Sequence, residues 1–365
     1  MLMKTAYPFH FTPFCLAVVL LLGNGLFAQT PKASLDSLCE QFRQAHQIPA
    51  LAVAWVTENN LVLHQSGVLY KGSVQPLTDA SMFHLGSNTK AITAWLALKL
   101  VETQKINLDT RFLSLFPEMM STADTAYHHI SLQDLLAHKA RIQPYTAGLA
   151  FLKLPEEARQ TRQAFAAFVL QEPPAAPDTY SNAGYALAAL MLEKASGMNY
   201  EALLAHTFNT LNWRYTWGFP NKLDSQVHPW GHWPADGNPT APDHLYALLP
   251  VVAPAGDLAM PLADYARFIQ QNLLGLDDKD DYLSRAHYTY QHYGLSPYSL
   301  GWANFLLEHD SRVSFHNGSA GTFFCQTYLY PDEGFGIIIM FNEAASQQIQ
   351  ALENFREALI HALYR

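Results

Sequence analysis

The sequence predicts an α+β fold, an α/β sandwich whose antiparallel sheet is flanked by the N- and C-terminal helices and carries an inserted all-helical domain. Three observations predict it. Strand-like apolar segments lie near both ends of the chain, helix-like apolar spacing fills the middle, and amphipathic helices open and close it. We expect a discontinuous sheet domain of residues 29–85 and 250–365, and a helical domain of residues 86–249. At 365 residues the chain is long enough to bury both cores.

The first 28 residues have the features of a secretory signal peptide. Lys4 gives a positive start, residues 14–22 form an apolar run, and Ala28 is a small residue at the expected cleavage site. The run is too short to span a bilayer as a helix. We expect cleavage after Ala28, a periplasmic or secreted protein, and no stable membrane anchor afterwards.

The mature chain is acidic and keeps two cysteines. The formal net charge is −9, and removal of Lys4 with the signal makes it −10. This charge argues against nucleic acid as a partner. Cys39 would lie on a helix and Cys325 on a strand; a disulfide between them stays open, and two separate buried thiols are favoured. The sequence leaves the oligomeric state open.

The sheet and its covering helices are predicted from both ends of the chain. Residues 50–56 and 61–68 form a hairpin, and a later antiparallel meander has strands at residues 299–307, 312–315, 322–330 and 334–341. The opening and closing helices each present one apolar face, made of Leu35, Leu38 and Phe42 and of Leu352, Phe355, Leu359 and Leu363. Both helices are therefore expected to cover one sheet.

The middle of the chain has helical patterns without strands between them. The helix that begins near Ser87 is apolar on nearly every side from Ala91 onward, and a helix of that kind is buried. Further helices are predicted at residues 132–138, 161–170, 185–195 and 200–211. The irregular residues 213–254 hold four tryptophans and seven prolines, and we expect them to form a wall or lid of a pocket.

Ser87 and Lys90 form an S-x-x-K motif at the start of the buried helix. The spacing places both side chains on one face, a single turn apart. Because a lysine at the mouth of a buried helix loses hydration, we expect its pKa to fall toward a value useful for a base. The serine proton then has an acceptor, as an activated nucleophile requires. The alternative interpretation is a helix cap followed by a solvated lysine.

A Y-x-N motif places Tyr180 and Asn182 at a loop-to-helix boundary. A neighbouring lysine cation favours the phenolate of a tyrosine, so Tyr180 is a candidate to take the serine proton and hand it to a leaving group. Asn182 offers a donor and an acceptor for a substrate carbonyl. The alternative interpretation is a pair of turn residues.

The third motif, H-x-G, holds His316 and Gly318 and is followed by Ser319. We expect Gly318 to let a substrate lie close to the strand, because no side chain blocks the approach. The backbone N–H groups of Ser319 and Ser87 would form an oxyanion hole. His292 begins a second H-x-G, but apolar strands flank His316 closely on both sides. A structural hydrogen bond is the alternative role for His316.

A metal site is not expected. His228 and His232 are four residues apart, but Pro229 and Gly231 between them prevent the regular helical turn that zinc-binding histidine pairs use.

In this order and spacing, the three motifs resemble the serine β-lactamase-related hydrolases, a group with class C β-lactamases, D-alanyl-D-alanine peptidases, D-aminopeptidases and family VIII-type esterases. The likeness runs through most of the mature chain, including residues 253–258 and the final hairpin at 331–341. It implies a β-lactamase/transpeptidase-like fold with Ser87 at the junction of the two domains. It also implies an exported hydrolase that cleaves a small-molecule or peptide ester or amide, including D-amino-acid peptides, without metal or organic cofactor.

The resemblance also implies roles for individual residues. Ser87 is acylated, and Lys90 shares its proton with Tyr180. Tyr180 relays protons to the leaving group and from the deacylating water. Asn182 orients the acyl side chain, and His316 stands where β-lactamases usually keep a lysine.

Three departures from the family pattern bear on the substrate. A neutral His316 attracts a substrate carboxylate less than a lysine does, and Asn317 replaces a smaller residue. Lys139 and Arg141 lie where many relatives have H-T-S-G-L, and they either bind an anionic substrate or are solvated. The alternative function is a penicillin-binding or sensor-like protein that is acylated without efficient turnover.

Overall fold

The structure, a computed structural model, describes residues 31–146 and 148–364, with the side chains of all of these except 148 and 149. The predicted signal peptide lies outside the described residues. The strands are β1 (Ala50–Thr57), β2 (Leu61–Gly67), β3 (Met82–His84), β4 (Thr216–Trp217), β5 (Leu258–Pro261), β6 (Ala303–Leu306), β7 (Arg312–Ser319), β8 (Phe324–Tyr330) and β9 (Phe335–Phe341).

The main sheet has six antiparallel strands in the order β2-β1-β9-β8-β7-β6. β1 pairs with β2 on one side and with β9 on the other, so the two ends of the chain meet at the centre of the sheet. Strands β6 to β9 form a meander. Both the hairpin and the meander predicted from the sequence are confirmed.

The α-helices among the described residues are α1 (Pro31–Ala45), α2 (Thr89–Glu102), α3 (Phe112–Leu115), α4 (Leu132–Leu136), α5 (Gly148–Phe151), α6 (Glu156–Gln160), α7 (Arg162–Val169), α8 (Asn182–Ser196), α9 (Tyr200–Thr210), α10 (Leu262–Leu276), α11 (Arg285–Tyr293) and α12 (Ser346–Leu363). Short 3-10 helices lie between several of them. The boundaries at 85/86 and 249/250 between the two predicted domains stay a prediction.

Each face of the main sheet packs on its own hydrophobic cluster. Alternate residues of β1, such as Val53 and Ala54, belong to different clusters. Because both faces are covered, β1 and β9 are buried almost throughout and read as continuous apolar runs. Helices α1 and α12 cover one face together, with the Phe42 and Phe355 rings stacked 4.1 Å apart. This confirms the predicted covering of one sheet by the first and last helices.

Helix α2 runs through the core on the other face of the sheet. Every residue from 89 to 98 is buried, which confirms the prediction of a buried helix. Trp95 stacks on Tyr282 at 3.9 Å and on Trp213 at 5.9 Å. Such packing fixes the position of the helix start, where Ser87 and Lys90 lie.

Some elements differ from the predictions. β4 lies inside the segment that was expected to be free of strands, and it joins a second, three-stranded sheet in the order β3-β5-β4. Strands of two to four residues are too short to show an alternating pattern. β7 continues to Ser319 instead of ending at residue 315, so all three residues of the H-x-G motif belong to a strand.

The cysteines are separate, as favoured from the sequence. Cys39 lies on α1 and Cys325 on β8, and both are free and buried. They belong to the clusters on opposite faces of the sheet. Burial raises the pKa of the Cys325 thiol to about 12, so this group stays protonated and unreactive.

Candidate active site

Ser87 lies in a three-residue 3-10 helix, Gly86–Asn88, that leads directly into α2. Gly86 has φ +52°, and a Cβ there would lie 2.5 Å from the backbone nitrogen of Ser319. The buried Asn88 side chain donates to the carbonyl of Cys325, 3.0 Å away on β8. The turn that carries Ser87 is therefore held against the edge of β7 and β8 without room for a side chain at Gly86.

Lys90 is fully buried, and its amine has three oxygen neighbours. Nζ lies 2.6 Å from the carbonyl oxygen of Ala255, 2.8 Å from Oδ1 of Asn182 and 3.3 Å from Oγ of Ser87. The first two are acceptors only. A neutral amine donates its two hydrogens to them and keeps its lone pair for the Ser87 hydroxyl.

The electrostatics of Lys90 agree with the expectation from the sequence. Burial lowers the pKa of Lys90 well below its usual value, and none of its three oxygen neighbours is a carboxylate. A lysine with a lowered pKa can be neutral near neutral pH and accept a proton.

The pKa of Tyr180 differs from the sequence-based expectation that its phenolate forms readily. Its hydroxyl shares a hydrogen bond with Ser87, and Nζ of Lys90 lies 4.6 Å from the centre of its ring. Burial nevertheless raises the pKa of Tyr180 above its ordinary value. Desolvation disfavours the phenolate more than the hydrogen bond favours it, and a neutral lysine supplies no charge to reverse this. The phenol is therefore protonated in this structure.

The start of α8 holds Tyr180 beside Ser87. Ser181 caps the helix by accepting from the N–H of Gly184, 2.9 Å away, and its own N–H donates to Nδ1 of His138 at 3.2 Å. The His138 ring packs on Tyr180 with a centroid distance of 4.3 Å. The cap and the imidazole together determine the direction of the phenol.

Asn182 uses both ends of its amide within the protein. Oδ1 accepts from Lys90, and Nδ2 donates to the carbonyl of Tyr145, 3.1 Å away. The residue therefore orients the Lys90 amine. A substrate carbonyl would have to compete with Tyr145 for Nδ2.

Gly318 allows the close contact between β7 and the Ser87 turn. A Cβ at Gly318 would lie 2.0 Å from the carbonyl oxygen of Leu85 and 2.8 Å from the nitrogen of Ser87. The sequence predicts that this glycine lets a substrate approach the strand. The structure gives a different reason, since the protein's own backbone occupies that space.

His316 is buried, with a hydrogen bond at each ring nitrogen. Nδ1 donates to the carbonyl of Asn317 at 2.9 Å, and Nε2 lies 3.1 Å from the hydroxyl of Tyr298. Because Nδ1 carries the proton, Nε2 accepts from Tyr298. Burial, with a smaller contribution from Lys90, lowers the pKa of His316 to about 3. The ring is therefore neutral.

The other H-x-G histidine has a structural position. His292 lies in α11, where its ring nitrogens are 2.7 Å from Oγ of Ser314 and 2.9 Å from Oδ1 of Asn272. Of the two histidines, it is His316 that the structure brings beside Tyr180, with ring centroids 6.4 Å apart.

Several residues of the site were missed from the sequence. Tyr298 lies in a loop without a motif, so no sequence signal pointed to it. His84 and Asp257 form a buried pair at 3.2 Å, and Nδ1 of His84 accepts from the N–H of Gly86 at 3.0 Å. In the sequence, only their positions could have pointed to these two residues. His84 precedes Gly86 by two residues, and Asp257 lies in the segment 253–258 that resembles the family. The pair orients the turn that carries Ser87.

The cations of the altered segment have partners away from Ser87. Lys139 forms an ion pair with Asp178 at 2.6 Å, and Nε of the exposed Arg141 donates to the carbonyl of Ala175 at 2.9 Å. These contacts hold neighbouring loops together and agree with the solvated alternative.

The two histidines considered as a metal pair also have structural partners. Nδ1 of His228 accepts from the N–H of Met82 at 3.2 Å. His232 accepts from the N–H of Lys71 through Nε2 and donates to the carbonyl of Asn342 through Nδ1. Among the residues that the structure describes, no group of three or more His, Cys, Asp or Glu side chains is arranged to hold a metal ion.

The irregular segment contacts the residue that follows β7. The Tyr246 hydroxyl donates to the carbonyl of Ala320 at 2.9 Å, and the Tyr246 ring packs against Phe219 at 5.2 Å. The wall or lid of a pocket expected for residues 213–254 stays a prediction. Within the described ranges, no helix is long and apolar enough to cross a membrane.

Comparisons with known proteins agree with this geometry. The family model described as Beta-lactamase matches residues 35–362. A beta-lactamase of Escherichia coli strain K12 is 25% identical over 267 residues, which are 71% of this chain and 67% of that protein. Penicillin-binding protein 4 of Amycolatopsis lactamdurans is 26% identical over 243 residues, 64% of this chain and 62% of the relative. A beta-lactamase of Pseudomonas fluorescens is 30% identical over 176 residues, and the match covers 47% of this chain and 46% of that enzyme.

Solved structures share the fold. A class C beta-lactamase superposes with a TM-score of 0.75 at 18% identity, covering 91% of this chain and 96% of that one. The D-alanine carboxypeptidase AmpC from Burkholderia cenocepacia gives a TM-score of 0.72 at 18% identity, with 91% and 99% covered. Since the family model spans nearly the whole described chain, the protein belongs to the beta-lactamase family of serine hydrolases.

Proposed function

We propose that this hydrolase is exported and cleaves an ester or amide, D-amino-acid peptides among them, through an acyl-enzyme on Ser87. The observation that carries the proposal is the contact set of Lys90. Two acceptor oxygens and the Ser87 hydroxyl surround an amine whose pKa is lowered by burial. That arrangement suits a neutral base next to a nucleophile.

Acylation begins when Oγ of Ser87 attacks the substrate carbonyl carbon and its proton moves to the lone pair of Lys90. The oxyanion of the tetrahedral intermediate accepts from the backbone N–H groups of Ser87 and Ser319. As the bond to the leaving group breaks, Tyr180 gives its phenol proton to the departing oxygen or nitrogen. The Lys90 proton then restores the phenol, and Ser87 remains as an ester.

Deacylation repeats these transfers with water. A water molecule attacks the acyl carbon and gives its proton to the neutral Lys90. The ester bond to Ser87 breaks, the proton returns to Oγ, and the carboxylic acid product leaves. Asn182 keeps the Lys90 amine in place through both halves, and we propose that its Nδ2 turns to the acyl group when substrate displaces the Tyr145 contact.

The test is the hydrolysis of a p-nitrophenyl acyl ester by the mature protein and by Ser87→Ala. The variant should lose turnover by a factor of about 10⁴ or more, as for removal of a catalytic nucleophile. Ser114→Ala is the matched control, because that exposed hydroxyl donates only to the Arg111 carbonyl on the surface. Full activity in Ser87→Ala would remove Ser87 as the nucleophile.

Export is tested separately. The N-terminal sequence of protein recovered from the periplasm or medium should begin at Gln29, since cleavage is proposed after Ala28. An intact Met1 on protein retained inside the cell would contradict export and leave the chemistry unaffected.

A second candidate is a penicillin-binding protein that is acylated and releases the product slowly. A relative named penicillin-binding protein 4 favours it. Intact-mass analysis after incubation with a fluorescent penicillin distinguishes the two functions. A lasting adduct on Ser87 supports the binding protein, and product formed over many turnovers supports the hydrolase.

A further inference from the structure

The charged side chains around Ser87 leave no free cation for a substrate carboxylate. The imidazole of His316 lies beside Tyr180, with ring centroids 6.4 Å apart, but both its nitrogens are in use. Nδ1–H donates to Asn317, and Nε2 accepts from the hydroxyl of Tyr298. Burial raises the pKa of Tyr298, so its hydroxyl keeps the proton that it donates. A neutral ring without a free donor cannot bind an anion.

The other cations near the site are also unavailable. Lys90 contacts two acceptor oxygens and has a lowered pKa, so it is needed as an uncharged base. Lys139 is paired with Asp178, and Arg141 donates to Ala175 on the exposed side of its loop. Across the described segments that carry Ser87, Tyr180 and His316, no ammonium or guanidinium group faces the nucleophile unpaired.

One donor in the site lacks a partner, and it is closed off. His138 accepts from Ser181 through Nδ1, so its proton is on Nε2, and that nitrogen is buried without a hydrogen-bond partner. The His138 ring packs against Tyr180 at 4.3 Å and against Tyr298 at 4.7 Å. This N–H is therefore covered by aromatic rings and does not reach a substrate.

The side chain that is linked through His84 to the turn carrying Ser87 is acidic, not cationic. The buried Asp257 side chain accepts from His84, whose other nitrogen accepts from the N–H of Gly86. An anionic group that gives up its water on binding at Ser87 would gain no cation in return.

We infer that the site selects uncharged acyl substrates, esters or amides without a carboxylate near the scissile bond, and that Tyr298 is the residue that sets this specificity by occupying His316. The inference rests on the proposed Ser87 chemistry and adds the substrate class. The expected discrimination between a neutral and an anionic substrate is tenfold or more, which corresponds to about 1.4 kcal/mol or more.

The test uses two pairs of esters that differ only in charge. One pair carries the charge in the acyl part (mono-p-nitrophenyl adipate and its methyl ester), and the other carries it in the leaving group (3-acetoxybenzoate and methyl 3-acetoxybenzoate). In each pair the neutral ester should have a kcat/KM at least about tenfold higher at neutral pH. Equal values, or a preference for the anion in either pair, would overturn the inference.

Tyr298→Phe tests the residue. It keeps the ring contacts with His138 and Tyr180 but leaves Nε2 of His316 without its donor. A carboxylate bound beside that nitrogen then favours the protonated ring, because an opposite charge raises the pKa of a histidine. The neutral-to-anionic ratio should fall at least threefold while kcat/KM for the neutral ester changes less. If Tyr298 had a purely structural role, the variant would lower kcat/KM for the neutral and the anionic ester equally. An unchanged neutral-to-anionic ratio would therefore refute the assignment of the specificity to Tyr298. Tyr290→Phe is the control, since that hydroxyl bonds Gln133 outside the site.

Ser87→Ala assayed on the same four esters separates the two proposals. Ser87-dependent hydrolysis without charge preference would refute only the specificity inference. Hydrolysis that persists in Ser87→Ala would refute the proposed function itself.

Discussion

Gly318→Ala should reduce activity strongly through a clash within the protein. The added Cβ would lie 2.0 Å from the carbonyl oxygen of Leu85, and Cβ atoms essentially never come nearer than 3.0 Å to another heavy atom. The strand and the Ser87 turn must therefore separate by 1.0 Å or more. The neighbour is backbone on both sides, so no side chain can rotate away. A displacement of about 1 Å between catalytic groups can cost about 10²-fold in rate, or about 2.7 kcal/mol.

The assay is kcat for a series of p-nitrophenyl esters from acetate to octanoate. If the clash separates Ser87 from the N–H of Ser319, the loss is the same for every acyl length. If Gly318 instead made room for substrate, the smallest ester would be spared and the loss would grow with acyl size. Unchanged kcat on acetate, with a normal melting temperature, would refute the clash within the protein.

Gly334→Ala is the control for stability. Gly334 lies in the turn between β8 and β9 with φ +75° and no atom within 4 Å of an added Cβ. The substitution therefore costs only backbone strain, about 1–2 kcal/mol. It should lower the melting temperature and leave kcat unaltered, which shows how much of the Gly318→Ala effect is due to lost stability.

Two further predictions concern charge. Lys90→Met should lower kcat by about 10²–10⁴-fold and abolish the acid limb of the pH profile of kcat, because the wild-type amine must be neutral and so acts above its lowered pKa. Lys99→Met on the same helix is the control. An acid limb that survives in Lys90→Met would contradict the role of Lys90 as the base. His292 and His316 have pKa values of about 3 in the fold, against the ordinary 6.5, so the unfolded chain binds more protons between these values. Their contribution to the free energy of unfolding is complete above pH 6.5 and is lost as the pH falls. The loss is about 1 kcal/mol for each histidine between about pH 7 and 5.5. Urea unfolding at both pH values measures this loss of stability. His292→Gln should reduce the pH dependence of the free energy of unfolding, and an unchanged dependence in the variant would refute the assignment of the effect to His292.

Regular periodicity explains which parts of the fold the sequence could predict. The hairpin, the meander and the covering helices repeat apolar residues over many positions, as Leu352 to Leu363 do on α12. The three-stranded sheet could not be predicted, since β4 has two residues and its pairing depends on β5, about forty positions later. In the site, too, residues in local motifs could be predicted and residues placed by distant contacts could not. The motif residues Ser87, Lys90 and Tyr180 were predicted, whereas Tyr298 was not, because its role depends on a contact with His316 that only the fold creates.

The two charge expectations for the site could not both be correct. A lysine neutral enough to act as a base carries no charge, so it cannot stabilise a phenolate on Tyr180. The structure resolves the conflict in favour of the neutral lysine, because burial disfavours the charged form of both groups at once and the neighbours of Lys90 are uncharged oxygens. We therefore propose that the amine is the base of the resting site and that Tyr180 begins the cycle as a proton donor. Tyr180→Phe should accordingly impair leaving-group departure more for an amide than for a p-nitrophenyl ester, whose leaving group needs no proton.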